Sequence, residues 1–233
     1  MLLVKSFILP KKFLWYNNRM KQTRLDQLAD GIFAIVMTIL VFEIRVPEHF
    51  GFANNNDLLI SLIALSPLFL SYLLSFSLLF TYWRSHHFIA SVLAKNIDTK
   101  FTNLNGVFFF LIALIPFSSH FLGKYIYSQT AIIFFALNII LIGISLFRMR
   151  HYAIQANTIE NTPFTRTENE RAYMHIFFPI ISAIMAIIVS FFNSNLALVL
   201  FTLAILFNLS KNSTKIIFYF INLFRSKPKD QLL

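Results

Sequence analysis

The stretch that decides the fold runs from Arg24 to Pro47, RLDQLADGIFAIVMTILVFEIRVP. It is long enough to span a membrane, and after Asp30 the residues Gly31 to Phe42 are uncharged and apolar apart from Thr38. A carboxylate near the mouth of such a helix is expensive in lipid, so Asp30 is expected to face protein or a water-filled path. The first helix is therefore the leading candidate for function.

The rest of the chain has the same character. It is 57% hydrophobic, with 29 Phe among 233 residues and only 13% charged side chains, and its mean hydropathy is +0.67. Soluble domains carry about 25% charged residues, so this composition marks an integral membrane protein. There is no cysteine, which excludes disulfides, thiol catalysis and Cys-based metal sites. The net charge of +10 does not point to nucleic acid, because no nucleic-acid module is recognisable and most of the charge falls between apolar runs.

Reading for apolar runs of about 20 residues predicts an all-α fold with six transmembrane helices, near 25–46, 59–83, 102–122, 127–147, 172–192 and 195–210. The second can continue as helix through Trp83 to Leu93. Pro67, Pro116 and Pro179 fall inside these spans, which a membrane bundle tolerates. No stretch reads as a series of strands. Residues 1–24 read as a basic cytoplasmic segment, 25–210 as the six-helix domain, and 211–233 as a basic cytoplasmic tail. The apolar stretch 216–224, IIFYFINLF, reads there as a continuation of the sixth span or as an interfacial helix.

The basic residues set the orientation. Eighteen of the 20 Lys and Arg precede the first span, follow the sixth, or lie between spans two and three or four and five; only Arg45 and Lys124 fall on the other side. The positive-inside rule then places both termini in the cytoplasm. The opening MLLVKSFILPKKFLWY is interrupted by Pro10 and Lys11–Lys12 and shows no small-residue cleavage site. It is expected to be an amphipathic membrane-surface segment rather than a signal peptide. The sequons at Asn208 and Asn212 fall on the cytoplasmic side and carry no weight.

At about 100° per residue, Ile35, Thr38, Ile39 and Phe42 form one stripe of the first helix, which Leu28 and Gly31 continue toward the cytoplasm. Asp30 lies about 140° from Ile35 on the same wheel. If the stripe lines a pore, Asp30 points back into the subunit and needs donors there. Periodicity alone leaves ordinary packing or lipid contact open for the stripe. Candidate donors at the depth of Asp30 are Trp83, His86, His87, Asn103 and Asn105, although Trp and His also sit at headgroup level for their own reasons. The His86–His87 pair lacks partners at metal-site spacing, so no metal and no cofactor is expected.

The run Arg24-x-x-x-Leu28-Ala29-Asp30-Gly31-Ile32-Phe33-Ala34-Ile35 resembles the Arg-x-x-x-Phe-Ser-Asp signature of the transmembrane protein 175 family, potassium channels that lack the usual carbonyl selectivity filter. Tyr82-Trp83-x-x-His86-His87 resembles the family's second-helix Trp and His. Asn105, then Phe108 to Leu111 and Ile115-Pro116-Phe117, resembles its third-helix Asn and Pro-Phe ending. The resemblance implies homotetramers of six-helix subunits in the prokaryotic cell membrane, with the first helices around a central pore. Carried over by position, Ile35, Ile39 and Phe42 would form the constriction and Thr38 a polar ring. Arg24, Asp30, Trp83, His86 and Asn105 would form a buried network that positions the helix. Leu28-Ala29 stands where the signature has Phe-Ser, so the hydroxyl is missing from that network.

No span contains a TVGYG-type loop, so an ion would pass an apolar ring whose width and wetting decide conduction. The expected function is a passive, potassium-permeable cation channel in the lipid bilayer. The alternative is a secondary transporter, although the chain shows no clear pair of broken helices and no central acid for ion coupling. A membrane enzyme is the third reading, and no Ser/His/Asp set, acid pair or metal-ligand constellation supports it.

Overall fold

The computed structural model describes residues 22–45, 55–160 and 165–209. The expected surface segment at the N terminus, the basic tail 211–233 and its apolar stretch 216–224 lie outside the described residues. Within them the α-helices are α1 (Gln22–Ile39), α2 (Asn55–Ala64), α3 (Ser66–His87), α4 (Thr99–Ala113), α5 (Ile115–Lys124), α6 (Gln129–Gln155), α7 (Arg166–Ser190) and α8 (Ser194–Leu209).

Among the described residues, five stretches are long and apolar enough to cross a membrane: 22–43, 66–93, 99–124, 129–155 and 172–190. The protein is a multi-pass membrane protein. The remaining apolar helix, α8, has 16 described residues.

The second span starts later than the hydropathy reading placed it. The chain turns at Leu65 (φ −79°, ψ −4°), and α3 begins at Ser66-Pro67, leaving α2 as a separate helix. Proline has no N–H to give and fits the first turn of a helix, so a Pro that hydropathy reads as interior instead opens a new helix. The same happens at Leu114 (φ −81°, ψ −11°), where α4 stops and α5 starts at Ile115-Pro116. Pro67 and Pro116 therefore do not interrupt continuous helices; only Pro179 lies inside one. At the far end α3 runs on, as expected, through one widened π-type turn, Phe88–Leu93. The fourth span also overshoots its expected end at 147 and continues to Gln155.

In lipid the apolar side chains gain little from leaving the solvent, so close packing and interhelical hydrogen bonds hold the bundle. Glycine provides two close approaches. A Cβ on Gly123 of α5 would stand 2.5 Å from the Ser71 hydroxyl of α3 and 2.7 Å from Leu68 Cδ2, and one on Gly143 of α6 would stand 2.5 Å from Ile180 of α7. Polar ties accompany them: Ser119 donates to the Ser71 carbonyl at 3.1 Å, and Asn138 donates to Ser118 at 3.2 Å. Such bonds contribute about 0.6 kcal/mol each. α6 runs through the centre of the bundle, in contact with α4, α5, α7 and α8, and buries Phe135, Ile139, Ile142 and Leu146 completely.

The ends of α3, α4 and α6 that carry the basic loops are fastened together. Asp98 caps α4 by accepting from the Phe101 N–H at 2.8 Å, and it also accepts from Tyr152 at 2.5 Å and Thr158 at 2.7 Å. Asn96 donates to the Thr158 carbonyl at 2.9 Å and accepts from the Glu160 N–H at 2.7 Å. Partial burial pushes the Asp98 carboxyl up, but hydrogen bonds from Tyr152, the Phe101 N–H, Thr158 and the Lys100 N–H outweigh it and hold the group below its ordinary value.

Candidate pore helix and its anchors

α1 and the 3₁₀ turn Leu40–Glu43 that continues it have two faces of different fate. Leu25, Ala29, Phe33, Val36 and Leu40 recur at helical spacing and are buried against the rest of the subunit. The other face is bare: Ile35 is 58% exposed, Ile39 40% and Phe42 69%, and Leu28 is exposed beside them. These are the residues on which the sequence placed the constriction. Thr38 shares that face and is exposed. Its hydroxyl lies 2.9 Å from both the Ala34 and the Ile35 carbonyls. With its proton directed into the helix, the hydroxyl turns only lone pairs outward.

The buried face is held at three depths. At the start of α1, the Gln22 side-chain amide donates to the carbonyls of Ala90 (2.6 Å) and Ala94 (2.8 Å). Both carbonyls belong to the widened turn that ends the third helix and to the residue after it. Midway, Trp83 donates its indole N–H to Asp30 at 2.9 Å. One turn further along α1, Phe33 packs on the ring of His86 (6.3 Å between centroids) and on Phe108 (6.1 Å). At the far end Glu43 lies 3.0 Å from His120 of α5.

The expected positioning cluster resolves into two adjacent pairs. His86 and Asn105 are both buried and lie 2.6 Å apart, from Nε2 to Oδ1. Asn105 uses its own N–H to reach the Phe101 carbonyl at 2.9 Å, and the His86 ring stacks on Phe108 at 5.2 Å. Because the Asn105 oxygen must accept, His86 carries its proton on Nε2. The Asp30–Trp83 pair sits at the margin of this core, with Asp30 exposed in the single subunit. Phe33 connects the two pairs by packing. Arg24 is exposed, and among the described residues no hydrogen bond or ion pair joins it to Asp30. Ala29, the residue standing in for a serine, is buried and leaves its position to van der Waals contact alone.

The sequence reading missed Gln22, Glu43 and His120. Gln22 precedes the quoted stretch and Glu43 lies near its end, yet neither stands out in composition. Their partners lie 68 to 77 residues away, and only the folded bundle brings them close.

Comparison with known proteins falls on this same helix. The family model of the endosomal/lysosomal potassium channel TMEM175 matches residues 24–116. Residues 24–116 thus resemble the TMEM175 family. A potassium channel of Chamaesiphon minutus is 37% identical over 103 residues, covering 44% of this chain and 50% of that channel. One from a Chryseobacterium species is 28% identical over 185 residues, covering 77% of this chain and 88% of its own length. One from Streptomyces collinus is 30% identical over 108 residues, covering 46% and 50%. The chain thus spans about half the length of two of these three relatives. The crystal structure of a lysosomal potassium-selective channel TMEM175 homologue from Chamaesiphon minutus superposes with a TM-score of 0.67 at 27% identity, covering 80% of this chain and 95% of that one.

The TMEM175 match begins at Arg24 and ends at Pro116, so it takes in Asp30, Trp83, His86 and Asn105 together with the exposed stripe of α1. Two of the anchors, Gln22 and His120, fall outside it.

Proposed function

We propose that this chain is a member of the TMEM175 family and forms a passive, potassium-permeable cation channel in the cell membrane, built from four copies with α1 of each around a central axis. Ile35, Ile39 and Phe42 are the constriction, Thr38 supplies a ring of hydroxyl oxygens, and both termini are cytoplasmic. The observation that carries this reading is the division of α1: one face is consumed by anchors within the subunit, and the opposite face presents an apolar stripe to nothing. Four such stripes would enclose a path whose narrowest ring repels water, so that conduction depends on its width and wetting. Names and descriptions of the relatives support potassium as the permeant ion. Asp30, Trp83, His86 and Asn105 act on the path indirectly, by fixing the angle at which α1 presents its stripe.

Flux of potassium and sodium from purified protein in liposomes tests the reading. Ile35→Asn wets the ring and is expected to raise flux and narrow the difference between the two ions. Unchanged flux in that variant would remove position 35 from the pore. Uptake of a solute against its gradient would favour a transporter instead.

A further inference from the structure

Polar side chains gather where α5 joins α3 and α6. Ser71 and Ser75 of α3, Ser118 and Ser119 of α5 and Asn138 of α6 are all buried. The bonds from Ser119 to the Ser71 carbonyl and from Asn138 to Ser118 meet only part of what these groups require.

Asn138 has two polar ends, and Ser118 serves one of them. The Ser118 hydroxyl donates to the Ile115 carbonyl at 3.0 Å, so toward Asn138 it can only accept, and the Asn138 amine is the end that faces it. The Asn138 carbonyl oxygen, Oδ1, is left buried with no hydrogen-bond partner among the described residues. Turning the amide over would exchange one orphaned group for another.

Ser75 is displaced from its usual acceptor. Ser77, Thr81 and Thr202 turn their hydroxyls back onto the carbonyl four residues earlier, at 2.8, 2.9 and 2.8 Å. For Ser75 that carbonyl belongs to Ser71, and Ser119 already donates to it. The helical N–H takes its other lone pair. Ser75 is completely buried, and its hydroxyl has no partner among the described residues. It lies one turn along α3 from Ser71 and on the same face.

An orphaned carbonyl calls for a donor and a displaced hydroxyl for an acceptor. Neither can turn to lipid, where an unmet polar group is costly. Water offers both functions, and a buried molecule makes about three hydrogen bonds to groups of this kind. We propose that the join of α3, α5 and α6 binds structural water, which donates to Asn138 Oδ1 and accepts from the Ser75 hydroxyl. The site stands apart from the exposed stripe of α1. It steadies α5, which holds the far end of α1 through the His120–Glu43 contact.

X-ray footprinting of the full-length protein reads the water directly. Radiolysis of a bound molecule makes hydroxyl radical in place, so Leu74 and Ile139, both completely buried and next in the chain to Ser75 and Asn138, are expected to be oxidised. The double change Ser75→Ala and Asn138→Leu should abolish that oxidation. Ser75→Ala alone is a mild change whose sign decides the matter. If the hydroxyl holds water, its loss should lower the melting temperature by about 2–4 °C, the effect of one hydrogen bond in a chain of this size. If the hydroxyl is dry, Ala removes an unpaired buried group and improves helix propensity, so the melting temperature holds or rises. Leu74 and Ile139 that stay unoxidised, oxidation that survives the double change, or a Ser75→Ala protein that melts no lower than wild type overturns the proposal. None of these readouts involves the flux that tests the channel.

Discussion

Trp83 of α3 donates its indole N–H to Asp30 of α1 across 2.9 Å, so the acid of the first helix is oriented by its own subunit and lies well round the helix from the exposed stripe. A hydrogen bond to a charged acceptor contributes about 1.5–3 kcal/mol where shielded and less where solvent reaches it. Trp83→Phe keeps most of the ring packing and deletes the donor. It is expected to cost about 1 kcal/mol in the thermal unfolding of detergent-solubilised protein and to lower potassium flux. Asp30→Asn retains an acceptor oxygen and should lie between wild type and Asp30→Leu in both measurements. A ranking with Asp30→Asn below Asp30→Leu would show that the carboxylate does something other than accept this bond.

His86 and Asn105 form a sealed pair in the core. Replacing one leaves the other buried without its partner, at about 1–3 kcal/mol. The double change to apolar residues of similar size removes both groups and should cost less than the two single changes added together. A double-mutant cycle of thermal stability checks this; strict additivity would mean that the two side chains act separately.

Two glycines should respond in opposite ways. Gly123→Ala drives a Cβ to within 2.5 Å of Ser71 and 3.1 Å of the Leu68 backbone, so α3 and α5 must part. Overpacking of this kind costs about 1–3 kcal/mol. Gly31 has nothing within 4 Å, and Ala there should leave the subunit as stable as before, or more stable by up to about 1 kcal/mol from helix propensity. Because Gly31 continues the exposed stripe, Gly31→Ala is expected to alter flux without a stability penalty. A large drop in melting temperature would place Gly31 against protein.

Much of this division was legible beforehand, for a physical reason. The stripe Ile35–Ile39–Phe42 and its separation from Asp30 follow from helical period and side-chain polarity, which are local. So does the run of apolar spans. The break at Leu65 was missed because hydropathy averages over Pro67, whereas the backbone responds to its missing N–H. Arg150 looked like a loop charge because the fourth apolar run ends before it, yet α6 continues and carries it inside. Gln22 against Ala90, Glu43 against His120 and Asp98 against Tyr152 were out of reach, since each joins residues more than 50 positions apart and none has a local signature. The proposed four-fold arrangement around α1 is a relation between copies, and one chain displays only the surface available for it.

Acid should loosen the fastening at Asp98. Its carboxyl titrates below the ordinary value in the folded protein, whereas the unfolded chain takes up the proton near pH 3.9. As pH falls, the unfolded state is protonated first. The stabilisation is therefore full above about pH 4 and disappears as pH drops through the lowered folded value. Asp98→Asn cannot titrate. The stability difference between wild type and Asp98→Asn should be constant from neutrality to mild acid and shrink below about pH 4, as measured by thermal unfolding at a series of pH values. A difference that grows toward acid would show that the group titrates in the other direction.

The three-point mooring of α1 separates two kinds of inheritance. Leu25, Ala29, Phe33, Val36 and Leu40 answer to the neighbours they touch, and change there is judged by whether the subunit folds. Leu28, Ile35, Thr38, Ile39 and Phe42 lie on the exposed face among the described residues. One can be exchanged for another apolar or small polar residue at little cost to folding, so under the proposed function permeation can drift, be lost or be retuned over generations while the scaffold stays still.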